Sequence, residues 1–131
     1  LLTKSRDLYK EGFDRAKDTY CGINAAAKSL LIGGDQIGVG EAIAKEVAEL
    51  LPKDITPDMG YWDAATVAEV VLISGDLQKA ARFYKEAVAL APTEIGGHAT
   101  TFRQVKGIAA AVGLSEESYQ DLQEVFAHLK G

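Results

Sequence analysis

Residues 61–92 read YWDAATVAEVVLISGDLQKAARFYKEAVALAP. The stretch divides at Gly75-Asp76. Glycine can take the left-handed conformation that closes one helix, and the aspartate side chain can cap the free amides of the next. After the break, Leu77, Ala80, Ala81, Tyr84, Ala87, Val88 and Ala91 recur at helical spacing and form one apolar stripe. Pro92 then ends the pattern. Two helices joined by so short a break fold back antiparallel, so residues 61–92 form a helical hairpin.

The hairpin has a counterpart upstream. At an offset of 41 residues, Tyr20-Cys21-Gly22-Ile23-Asn24-Ala25-Ala26-Ala27 lies over Tyr61-Trp62-Asp63-Ala64-Ala65-Thr66-Val67-Ala68. The match continues without a gap to Gly34-Asp35 over Gly75-Asp76, and Ala27/Ala68 and Ile32/Ile73 coincide. Gly113-Leu114-Ser115 is a third stop, with Ser115 as cap and Glu116 and Glu117 against the positive end of the last helix. Self-similarity at a fixed period indicates stacked units that share one core. Seven helical segments are predicted: Leu2–Ala16, Tyr20–Gly33, Gln36–Leu51, Gly60–Ser74, Leu77–Ala91, Glu94–Val112 and Glu116–Leu129. The longest connection, Pro52 to Met59, holds two of the three prolines.

Composition agrees with an all-α domain. Of the 131 residues, 47% are hydrophobic, many of them alanine, the best helix former. The length fits one domain spanning residues 1–131. The net charge of −5 argues against general nucleic-acid binding, which needs a basic face. The single cysteine, Cys21, excludes an intrachain disulfide framework and fits a reducing, cytoplasmic setting. No apolar run approaches the roughly 20 residues of a membrane span. The chain opens on Leu1 rather than Met, and a helical pattern stops abruptly at Gly131, so a piece of a longer protein is expected.

The second unit resembles a tetratricopeptide repeat. Ala64, Val67, Ala68 and Val71 fill the packing positions of the first helix, Ala80, Tyr84 and Ala87 those of the second, and Pro92 stands at the turn. Ser5, Tyr9 and Gly12 keep the spacing of a second helix from a preceding repeat, whereas Glu46 departs from the pattern. The 41-residue spacing exceeds the usual repeat of about 34. A narrower resemblance rests on Tyr20 with Gly22-Ile23-Asn24-Ala25-Ala26, Gly34-Asp35, Tyr61-Trp62 with Ala64-Ala65 and Glu69, Gly75-Asp76, Ala91-Pro92, and Thr100-Thr101-Phe102-Arg103-Gln104. This series is similar to the TPR-S sensor domain, which is related to the TRAF-binding regulatory region of apoptosis-signal kinases. The resemblance implies a short solenoid of antiparallel helix pairs, joined in longer chains to effector domains. It also implies a nucleotide-derived signal as one candidate ligand.

In such stacks the first helix of each pair lines the concave groove. The repeat register then places Asn24 and Lys28 in the groove from the first unit, and Ala65, Thr66 and Glu69 from the second, with Trp62 at the start of that helix as a stacking candidate. Thr100, Arg103 and Gln104 come from the third. An amide, a lysine and an arginine converging there would suit a carboxylate or phosphate. Structural alternatives stand beside each assignment. Asn24 could cap or bridge a turn, Arg103 could pair with Glu69, and Lys28 could be a solvated helix residue. Tyr20, Tyr61 and Trp62 could wedge neighbouring units.

Catalytic and metal chemistry find little support. His98 and His128 have no cysteine or carboxylate at ligand spacing. Cys21 has no histidine on its helix face. Residues 33–40, Gly-Gly-Asp-Gln-Ile-Gly-Val-Gly, lack the Lys-Ser/Thr of a P-loop. The expectation is a non-catalytic sensor without cofactor or metal. It would take a small anionic ligand or peptide and report to a linked effector domain or protein partner. The alternative is a protein scaffold without a small ligand.

Overall fold

The computed structural model describes residues 1–130. It contains α1 (Leu2–Ala16), α2 (Thr19–Ile32), α3 (Gln36–Leu50), α4 (Tyr61–Ser74), α5 (Leu77–Leu90), α6 (Ile95–Val112) and α7 (Glu116–Val125), followed by a 3₁₀ turn, Ala127–Lys130. Among the described residues there is no strand. The predicted segments agree to within two residues except the last. There the α-helix stops at Val125, because Phe126 leaves helical geometry (φ −107°, ψ 18°). Two contacts hold the tightened turn in place: Phe126 stacks on Phe102 at 4.9 Å between ring centroids, and His128 bonds His98.

The breaks follow local chemistry. Gly75 closes α4 at φ 95°, and Asp76 accepts the Lys79 amide at 3.1 Å. Gly113 closes α6 at φ 69°, and Ser115 accepts the Ser118 amide at 3.2 Å. The Gly34-Asp35 stop works differently from its counterpart. Gly33 and Gly34 both take positive φ, and Asp35 is already helical (φ −69°, ψ −12°) and caps nothing with its side chain. A cap needs extended backbone at that position. The strongest cap is instead Asp18, which accepts the Tyr20 amide at 2.9 Å and the Cys21 amide at 3.4 Å.

Neighbouring helices pack as antiparallel pairs, α1 with α2, α2 with α3, and α4 with α5, in a solenoid-like stack. Ala25, Ala26 and Ala27 are fully buried, and Phe13, Leu30, Val47, Leu72, Phe83 and Tyr84 fill the space around them. One close crossing is at Gly22. A Cβ there would stand 2.5 Å from Val47 Cγ2 and 2.7 Å from Phe13 Cδ1, so only glycine lets α1, α2 and α3 converge. Glu46, out of pattern in sequence, is exposed and faces Lys17 at 3.8 Å.

The third unit packs across the first two. α7 lies against α5, while α6 packs on both α2 and α4. The first turn of α6 lies against Tyr61 and Trp62 at Gly97, and near its other end Gly107 reaches Leu31 of α2. The first helices of all three units therefore touch one another around a half-open cavity. No described helix is long and apolar enough to cross a membrane.

Candidate functional site

The cavity ringed by α2, α4 and α6 measures about 520 Å³. Asn24 comes from α2, Trp62, Thr66 and Glu69 from α4, and Thr100 and Gln104 from α6. These are six of the residues expected in the groove from sequence. Tyr20, Ile23, Ala65, Thr101 and, from α5, Tyr84 complete the wall. The volume falls inside the range of roughly 300–1,000 Å³ usual for small-molecule sites.

Two expected residues stand elsewhere. Lys28, one turn beyond Asn24, holds its ammonium over the Tyr9 ring at 5.8 Å, away from the cavity wall. Arg103 is exposed and donates from Nη2 to Thr100 Oγ1 at 3.3 Å, which puts it at the rim. The Arg103–Glu69 pair is not formed: the ion pairs among the described residues are Arg6–Asp7, Lys10–Asp14, Arg15–Glu11 and Lys17–Glu46. The convergence of amide, lysine and arginine thus gives way to a wall without a cation. Helical pitch explains it. Position 28 lies on the Asn24 face but one turn further along α2, over Tyr9, and position 103 stands on the flank of α6 beside Thr100.

The wall's polar groups are arranged in tiers. Thr66 and Thr100 return their hydroxyl hydrogens to the helix, to the Trp62 carbonyl at 2.9 Å and the Gly96 carbonyl at 3.1 Å. Asn24 Nδ2 donates to the Tyr20 carbonyl at 2.9 Å, a local bond that leaves Oδ1 as the acceptor for other partners. Tyr61 donates to Thr101 Oγ1 at 2.7 Å and ties α4 to α6 beside the cavity. Trp62, 55% exposed, offers an aromatic face at the mouth, as does Tyr20.

Glu69 is the one carboxyl group in the wall, and it is 8% exposed. Burial pushes its pKa up to about 8, with the Gln104 amide pulling in the opposite direction. At neutral pH it is mostly a carboxylic acid, able to donate through O–H and accept through C=O. Burial also raises Tyr84 well above the ordinary phenol value, and the Glu69 charge adds to that.

Two features lay outside the sequence reading. His98 is fully buried, with Nε2 at 2.9 Å from the Ala91 carbonyl and Nδ1 at 2.9 Å from His128 Nε2. A carbonyl only accepts, so His98 Nε2 carries a hydrogen. The partners are 30 residues apart in different elements, and no spacing rule joins them. Among the described residues no group of three ligating side chains surrounds the pair. The second feature is a cleft of about 430 Å³ on the opposite face of α4, floored by Val67, Val70 and Val71, with Lys45, Lys53, Lys79 and Glu41 around it. Cys21 is half-buried, and desolvation followed by the Asp18 charge pushes its thiol pKa up, away from the reactive thiolate.

No family model, curated protein or solved structure matches the chain.

Proposed function

We propose that the chain is a non-catalytic binding module, a tetratricopeptide-like sensor that takes a nucleotide-like ligand in the α2–α4–α6 cavity and reports occupancy to an attached effector. The observation that carries this reading is the cavity itself. It is of small-molecule size, walled by the first helix of every unit, and bounded where α6 meets α2. Any ligand bridging the three helices alters how tightly the stack is wound, which couples binding to the shape presented to a neighbouring domain. The wall favours a flat head over a peptide terminus. Trp62 and Tyr20 supply aromatic faces, no cation lines the interior, and Arg103 waits at the rim for an anionic tail.

A scaffold role is the competing reading, supported by Leu2 and Leu8 exposed on α1. A thermal-shift panel of nucleotides and acidic peptides separates the two. A nucleotide that raises Tm with increasing concentration, and does so no longer in Thr66→Phe, supports the sensor. No shift from any ligand, together with capture of a protein partner that Thr66→Phe leaves intact, supports the scaffold.

A further inference from the structure

We infer that the cleft between α3 and α5 is a second, separate ligand site, shaped for a single amphiphilic acid: an unbranched apolar chain that carries a carboxylate head. It goes beyond the α2–α4–α6 cavity and stands whether or not that cavity takes a nucleotide.

The cleft exists because two helices lean on a third. α3 and α5 each pack against α4 and scarcely touch each other, so the outer face of α4 forms a floor between them. Val67, Val70, Val71 and Ser74 line that floor at spacings of three and four residues, a single stripe along the helix. From Val67 to Ser74 the stripe runs roughly 10 Å at the helical rise. Ala44 and Ala48 of α3, with Leu51 just beyond it, form one side, and the space measures about 430 Å³. That is a small-molecule volume. The floor is recessed: Val67 and Val70 are buried and Val71 half-buried. A flat membrane surface cannot enter such a cleft, whereas one alkyl chain laid along the stripe can. No aromatic ring lines it, and its one hydroxyl is already used, since Ser74 donates to the Val71 carbonyl at 2.8 Å. A sugar or a base finds no side-chain partner on this floor, and an alkyl chain gains by leaving water.

Charge selects the head group. Lys45, Lys53 and Lys79 stand around the cleft against Glu41 alone, on a chain whose net charge is −5. None of the three lysines joins an ion pair among the described residues, although Glu41 and Glu49 lie four residues to either side of Lys45. Lys79 holds its ammonium over the Phe83 ring at 5.3 Å, which leaves Lys45 and Lys53, both exposed, as the cations without a partner. Lysine stems lie along apolar surface and keep their charge at its edge, where the head of a chain seated on the valines emerges. The α2–α4–α6 wall has the reverse character, one carboxyl group and no cation.

The test is calorimetric titration with decanoate, decan-1-ol and decyltrimethylammonium, each below the concentration at which it forms micelles. A carboxylate is better hydrated than a hydroxyl, so a bare apolar trough prefers the alcohol. Here decanoate should bind roughly fivefold or more tightly than the alcohol, and the cation should bind worst. Added salt should weaken decanoate alone. The double variant Lys45→Gln with Lys53→Gln, changed only at exposed positions, should reverse the order of acid and alcohol. Val71→Trp fills the floor and should abolish binding of both. Alcohol that binds as tightly as the acid, an order unchanged in the double variant, or no binding of decanoate overturns the inference. Loss of decanoate binding in Thr66→Phe would put the acid in the other cavity and overturn it as well. Decanoate that binds in the predicted order upholds it even where no nucleotide binds.

Discussion

Glu69 sets the chemistry of the cavity, and its protonation leaves a mark on stability that needs no ligand. Its pKa rises from an ordinary 4.5 to about 8 in the folded chain. Between those values the folded state holds a proton that the unfolded state has released. Stability therefore falls as pH rises through that window and levels off above pH 8. Wild-type protein should lose about 2–5 kcal/mol of this contribution between pH 5 and pH 9. Urea unfolding of Glu69→Gln at the two pH values should show the difference removed, and parallel behaviour of both proteins would contradict the burial of the carboxyl. Gly22 makes a second test at this scale. Alanine there drives a Cβ into Val47 and Phe13, and the overpacking should cost about 1–3 kcal/mol, read as a lower urea midpoint. Neither effect was fully legible in sequence. The repeat register puts Glu69 in the groove, but its raised pKa depends on burial without a cation beside it, and only the structure shows that Arg103 is bonded to Thr100 instead.

Helix ends were the most legible features, because they are decided by two or three adjacent residues. Gly75-Asp76 and Gly113 with Ser115 behave as glycine stop and side-chain cap. Gly34-Asp35 looks the same on paper, yet a second left-handed glycine, Gly33, uses up the turn before Asp35 is reached. Asp18 went unnoticed because no glycine precedes it; Lys17 takes the left-handed position instead, at φ 53°. The two aspartates should separate cleanly. Asp18→Ala removes a working cap and should cost about 1 kcal/mol, whereas Asp35→Ala should cost a few tenths at most. Thermal melts followed by circular dichroism check both, and equal losses would mean that α2 and α3 start in the same way. α7 ends four residues before its periodicity predicts, for a related reason. The periodicity of Tyr119, Leu122, Val125, Phe126 and Leu129 continues, but Phe126 and His128 are claimed by Phe102 and His98 of α6.

On the scale of the molecule, the order of helices and their pairing followed from the offset of 41 residues, whereas the closure of the groove did not. Sequence similarity between units fixes which face each helix buries and leaves open how far successive units rotate. That rotation is settled by small residues at long-range crossings, such as Gly107 of α6 against Leu31 of α2, and no pattern within one unit encodes it. The packing of α6 also decided which expected residues reached the site, bringing in most of them and leaving Lys28 and Arg103 outside the wall. Trp62 reports on this directly, since it is the only tryptophan and lies half-exposed in the cavity wall. Its emission should therefore be followed while adenosine 5′-monophosphate is added to wild-type protein and to Thr66→Phe, which fills the cavity. A saturable change in the wild type that disappears in Thr66→Phe is the predicted result, and a change that survives the filled cavity, or none in either protein, would contradict ligand binding between α2, α4 and α6.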